Sequence, residues 1–454
     1  MSPVVVLPRA AEPLLARLGI AFTPRTFQRV LLLFVGSVLA LGRHTVTGAL
    51  WAARALAAGS GHFSDYHRVF SRARWSPWPL GKVLAAMVLE LVPEGEPVVC
   101  PVDDTTPQHK GKCVYGEGRH RDNCRSTRSH TVWVFGHKWV VLALTVKFCF
   151  ASRPWALPVL AALYRPKELD ATEGRRHKTT LDLARQLTAV LIHWFPHREF
   201  ILLGDGGYAS HEPARFCHRH RRHVTLVSRL HPRANLYDPP PPRRKGRSGR
   251  PRVTGQKPPA PQDVAAASAL KRSTVGWYGG KTRRVGFVSG TGHWYKGGGG
   301  LVPVRWVFVH DVEGTHEDGY FYCTDTSLSP SRIVTLYTGR WSIGVTFQEA
   351  RQHLGFHTPR SWKRASVLRT APCLLGLFSL VCLIYHRHSR GEGAEPLSTP
   401  WHAKAEATFA DAVASVRRLL WSQTIPEQAD RHNAFQKLPP GLRDTLLDQL
   451  THAA

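Results

Sequence analysis

The sequence predicts an α/β protein: a mixed sheet with flanking helices, a helical N-terminal domain and a β-rich insertion. Two apolar, strand-like runs ending on aspartate carry that reading, Val98-Val-Cys-Pro-Val-Asp103-Asp104-Thr105 and Phe200-Ile-Leu-Leu-Gly-Asp205. The third observation is a late helical stretch, Tyr337 to Arg351. At roughly 100° per residue its positions 337, 340, 344 and 351 form one stripe.

Each element follows from local pattern. Residues 1–95 read as helical, with apolar positions at Leu14, Leu18, Phe27 and Val30–Leu32. Segments 46–57 and 63–74 flank Ala58-Gly-Ser-Gly-His62 at helix-turn-helix spacing, with Arg68, Arg72 and Arg74 on the second. A strand is expected at 97–104, and 131–136 with 139–150 read as a hairpin around His137-Lys138. A helix at 175–194, a strand at 199–204, a helix near 210–220 and a strand at 223–228 then alternate. Residues 235–262 break the pattern: Pro239–Pro242 followed by Arg243-Arg-Lys-Gly-Arg-Ser-Gly-Arg250-Pro-Arg252 cannot build a core. Gly249-Arg250-Pro251 is similar to arms that insert arginine into narrow minor grooves, though plain phosphate binding is the slightly favoured reading. Strands are expected at 274–289, 303–311 and 319–324, one helix at 329–354, and an amphipathic helix at 404–421. The expected units are 1–95, 96–234 together with 325–390, the insertion 235–324, and a polar tail 391–454.

The balance of 61 Lys+Arg against 32 Asp+Glu gives a formal charge of +29 over 454 residues. That excess makes nucleic acid the expected partner. The eight cysteines lack Cys-x-x-Cys spacing, which argues against a zinc ribbon or a disulfide framework and suits a reducing compartment. Cys217-His218-Arg-His220-Arg-Arg-His223 has no second ligand pair and reads as a basic surface helix. The N-terminus lacks a secretory pattern. The apolar runs Val30–Leu41 and Cys373–Tyr385 fall short of the roughly 20 residues of a membrane span, so a cytoplasmic protein with no membrane contact is expected.

Taken in order, the Asp-Asp-Thr strand, Gly204-Asp205-Gly-Gly-Tyr208, Arg340-Trp-Ser-Ile and Phe347-Gln-Glu-Ala-Arg351 resemble a known family. The chain is similar to bacterial insertion-sequence transposases of the DDE superfamily, the branch with a Tyr-x2-Arg-x3-Glu-x6-Lys signature. The resemblance implies a ribonuclease H-like core, DNA (element ends and target) as partner, a homodimer on DNA, and a nucleoid-associated bacterial location. It implies two Mg²⁺ ions held by Asp103 and Asp205, one activating the nucleophile and one stabilising the leaving oxygen. Asp103 is preferred to Asp104 because Asp-x-Thr fits the pattern, and neighbouring strand residues face opposite sides. Tyr337, Arg340 and Arg351 (in the lysine position) would contact DNA, as would Arg250. His137, Arg119 and Arg128 are further phosphate candidates.

One position departs from the signature. Where it places glutamate, this chain has Gly344, chemically empty and locally unfavourable in a helix. Glu349 is the nearest acid, about 140° round the helix. The expected function is therefore a transposase with impaired DNA cleavage and strand transfer. The alternatives are a noncatalytic DNA-binding remnant and a ribonuclease H-like host nuclease.

Overall fold

The computed structural model describes residues 7–53, 61–109, 111, 113–122, 125–127, 129–242, 250–392, 403–429 and 437–451. Five helices open the chain: α1 (Glu12–Arg17), α2 (Pro24–Leu39), α3 (Val46–Ala52), α4 (Phe63–Ser71) and α5 (Pro77–Leu89). Gly36 lets α2 and α3 cross closely, since a Cβ there would lie 2.1 Å from the Ala49 carbonyl oxygen. Much of the expected linker between α3 and α4 falls outside the described residues. α4 ends before Arg72 and Arg74, so of the three expected arginines only Arg68 lies on the helix, where it pairs with Asp65.

The sheet then begins. β1 (Val98–Thr105) is followed by β2 (Gly118–Arg121), β3 (Trp133–Gly136), β4 (Lys138–Val146) and β5 (Trp155–Tyr164). The hairpin expected from 131–150 does not form. β3 pairs with β2 in a separate two-stranded ribbon, while β4 pairs antiparallel with both β1 and β5. Pro158 inside β5 hides that strand from a pattern reading, because proline removes a ladder donor. It is accommodated at a bulge: Leu142 pairs Leu160 and Ala143 pairs Pro158, leaving Val159 extra.

α6 (Lys167–Thr172) and α7 (Thr180–Trp194) come next, the latter started by a Thr179/Asp182 capping box. β6 (Phe200–Leu203), α8 (His211–Arg219) and β7 (Val224–Arg229) follow, both strands parallel to β1. After β8 (Leu236–Tyr237) and α9 (Pro261–Ala267), the insertion contributes β9 (Lys271–Gly276), β10 (Thr282–Lys296), β11 (Gly300–Asp311) and β12 (Gly319–Cys323). The expected strand 274–289 is thus two strands, turned at Gly279-Gly280, both at positive φ. β12 pairs with β7, so the insertion extends one sheet ordered β5-β4-β1-β6-β7-β12-β11-β10-β8, with β9 on β10. Arg250 is exposed on irregular chain, and residues 243–249 of its basic tract lie outside the described residues.

The expected helix 329–354 is two helices, α10 (Pro330–Gly339) and α11 (Ser342–Leu354). Between them the ladder tightens to i→i+3 bonds, Ile343 N–H to Arg340 O and Gly344 N–H to Trp341 O. α12 (Arg364–Glu392) is longer than its apolar run foretold and, at mean hydropathy 2.1, is the one helix among the described residues long and apolar enough to cross a membrane. Here it packs on β5, α5 and α13 (Phe409–Ala429), and Ser379 Oγ donates to the Pro158 carbonyl at 2.7 Å. α14 (Pro440–Thr451) closes the fold. Two hydrophobic cores form around the sheet. The larger holds Val98, Cys100 and Val102 with the N-terminal helices and α12; the smaller holds Ile201, Leu203 and Val227 with α10.

Candidate active site

Strand alternation decides which way the aspartates face. Val98, Cys100 and Val102 of β1 join the larger core while Val99 packs against the smaller one, so Val99, Pro101, Asp103 and Thr105 face the side of α10. On β6, Ile201 and Leu203 share that side, and Asp205 continues their parity. The last registered pair is Pro101 beside Leu203; Asp103 continues β1, while Asp205 lies two residues past the end of β6, near enough that its charge acts on Asp103 and Asp104.

The hydrogen bonds agree with that facing. Arg340 Nη1 donates to Asp103 Oδ2 at 3.2 Å, and Arg351 donates to the Thr105 hydroxyl. Asp104 points to the other side, where Lys138 Nζ lies 3.5 Å from its Oδ1. Asp205 Oδ1 accepts the Gly207 N–H at 2.8 Å, capping the tight turn Gly206–Tyr208, and the Asp205 carbonyl accepts from Ser228 Oγ. Tyr337 is buried against Phe321 (centroids 4.4 Å apart) with the Arg340 guanidinium 5.3 Å from its ring. Position 344 faces open space: a Cβ there would meet nothing within 4 Å.

Burial pushes the Asp103 carboxyl up to about 7; Arg340 draws it down, while Asp205 and Asp104 push it further up. Its side chain still keeps 24% of its surface open, so solvent reaches the group. Asp104 is raised for the same first cause, burial, with Lys138 opposing and Asp205 adding to it. The buried Tyr208 phenol is raised well above its ordinary value, by burial first and then by Asp104, Asp103 and Asp205. Its hydroxyl has no hydrogen-bond partner among the described residues, nor has Arg340 Nε. Lys138 and Tyr208 are neighbours of the site whose part the strand pattern did not single out.

Other expected residues lie elsewhere. Glu349 turns to His353 (3.2 Å) and to the charge of Arg153, not to Asp103 or Asp205. His137 is buried, donating from Nε2 to the Tyr115 carbonyl at 2.9 Å, and its ring packs on His109. Arg119 is exposed on β2, and Arg128 lies outside the described residues. The two-Mg²⁺ expectation is corrected: among the described residues no group of three or more His, Cys, Asp or Glu side chains is arranged to hold a metal ion. The physical reason is visible. Gly344 brings no carboxylate, Glu349 faces away, and Asp103 and Asp104 on successive strand positions are each claimed by a resident cation.

These contacts predict a titration. A carboxyl raised in the folded state favours folding while protonated, and that contribution is lost as pH rises through about 7. Arg340→Gln removes the group that lowers Asp103, so its titration is expected to move upward. Carbon-13 NMR of the aspartate carboxyls measures this; a native Asp103 midpoint below about 5, or a downward move in the variant, contradicts the assignment.

The strand order, two antiparallel neighbours then parallel β6 and β7 with aspartates at adjoining strand ends, defines a ribonuclease H-like fold. The family model described as "DDE superfamily endonuclease" matches residues 17–284, and the chain belongs to that family. The match spans Asp103, Asp104 and Asp205 and ends before α10 and α11, so it does not bear on the Tyr337–Arg351 signature or on an insertion-sequence branch. Among solved structures, the piggyBac transposase synaptic complex with hairpin DNA aligns over 98% of this chain and 81% of that chain, at 13% identity and a TM-score of 0.40. Among curated proteins none matches the sequence.

Proposed function

We propose that this protein is a transposase-type member of the DDE endonucleases that engages DNA ends across the face bearing Asp103 and Asp205, and that its strand cleavage is impaired. What supports the reading is that Asp103 feels the charge of Asp205 while Arg340 and Arg351 reach Asp103 and Thr105 from α10 and α11. A backbone phosphate seated there would meet Arg340, whose Nε–H lacks an acceptor, and Arg351 three helical turns on. Gly344 supports a second reading, binding without cutting, because the acid that would complete the site is missing. The Tyr337–Arg351 pattern supports an insertion-sequence origin, in which DNA ends are held by two copies of the chain.

A gel-shift and nicking assay on duplex ends tests both. DNA binding with little nicking is expected from the native chain. Asp205→Asn should abolish what nicking remains while leaving binding within about threefold, because one charge among many phosphate contacts changes affinity little. Nicking that survives unchanged in Asp205→Asn places the chemistry elsewhere; absence of DNA binding refutes the reading altogether.

A further inference from the structure

The β2–β3 ribbon stands off the main sheet and presents one face to solvent. Its register sets Arg119 opposite Phe135 and Arg121 opposite Trp133. Alternation puts these four side chains on the same face, and all are exposed, Trp133 at 50% and Phe135 at 49%. The Arg119 guanidinium lies over the Trp133 ring, 4.7 Å from its centroid. Two cations thus alternate with two aromatic rings on a flat surface about two strands wide.

The opposite face is anchored. His120 is buried with its ring against Tyr164, Gly136 sits where a Cβ would lie 2.2 Å from the Pro107 carbonyl, and Gln108 bridges to Gly136. That bridge ties the ribbon to the outgoing end of β1, five residues past Asp103. Five residues of chain span at most about 18 Å.

We propose that this ribbon face is a binding site for unpaired nucleobases of DNA, stacked on Trp133 and Phe135 while Arg119 and Arg121 hold the flanking phosphates. Every base offers a π-face, so aromatic platforms take single strands with little sequence preference, and interleaved arginines supply the backbone contacts. Charge favours this occupant over an apolar protein surface: the rings are separated by guanidiniums that such a surface would have to desolvate, and the chain as a whole carries +29. The inference rests on the DNA reading above and assigns that DNA a frayed or single-stranded end.

The test compares a blunt duplex with the same duplex carrying a short single-stranded tail that contains 2-aminopurine, using anisotropy and base fluorescence. The tailed duplex is expected to bind about tenfold more tightly and to show quenched 2-aminopurine, as stacking on an aromatic residue requires. Trp133→Ala and Phe135→Ala should lose the preference and the quenching while keeping blunt-duplex affinity; Trp133→Phe should retain both. Arg119→Ala should lower the salt slope by about one. Blunt-duplex binding with no tail preference, or a preference that survives both alanine variants, overturns this proposal and leaves the DNA reading standing. Failure to bind either duplex overturns both. If Trp133→Ala instead splits an oligomer in sedimentation with tail preference intact, the face is a protein contact and the proposal is wrong.

Discussion

Raising salt from about 50 to about 200 mM is expected to weaken DNA binding by about three orders of magnitude, the loss that follows when six or more phosphate contacts release their counterions. The charge excess of 61 over 32 supplies the cations. Arg340 and Arg351 are held by Asp103 and Thr105, so most of the contacts must come from outlying groups, of which Arg119, Arg121, Arg250 and Arg252 are exposed. A plot of log affinity against log salt measures the slope directly. A change of less than tenfold across that range would mean that the basic charge is not organised toward a polyanion, and the DNA reading would lose its main support.

What the sequence made legible, and what it did not, divides along the range of the interactions. The two strands ending on Asp103 and Asp205 are short apolar runs with one dominant local signal, and both appear where the pattern puts them. The helices 180–194 and 211–219 likewise follow from caps and periodicity. The misread hairpin depended on a partner: Trp133–Gly136 alternates like a core strand, yet pairs with Gly118–Arg121, a run of glycine, arginine and histidine without strand-like composition. β5 was hidden by Pro158, which sits at a bulge on the edge strand of the sheet. The break between α10 and α11 has no proline to announce it. Strand alternation says only that Asp103 and Asp104 face opposite sides; the preference for Asp103 came from the resemblance through Asp-x-Thr, and Arg340 meets Asp103 while Arg351 meets Thr105. The metal expectation failed because it came from the resemblance, whereas the chain's own residue at 344 already spoke against a third carboxylate.

Gly344→Glu is the substitution expected to change DNA cleavage most. Residue 344 is the third of α11, four residues after Arg340 and seven before Arg351 in the sequence, and its missing side chain leaves open space. A glutamate there costs nothing sterically at Cβ, relieves a helical glycine by up to ~1 kcal/mol, and sits favourably near a helix N-terminus. Its charge is another matter. A third carboxylate near Asp103 and Asp205 adds like-charge repulsion, so the Asp103 titration should rise above about 7 in the variant. Nicking of duplex ends is expected to increase by about a hundredfold or more over the native chain, the scale of one positioned carboxylate acting in acid–base catalysis. Gly344→Gln is the control, since it gives the helical benefit without the charge and should match native nicking. Glu349→Gln should change nothing, because that carboxylate is engaged with His353. Equal nicking by the Glu and Gln variants would show that the missing acid is not what limits the chain. Robust native cleavage lost in Glu349→Gln would show that α11 rearranges on DNA to bring Glu349 round to the aspartates.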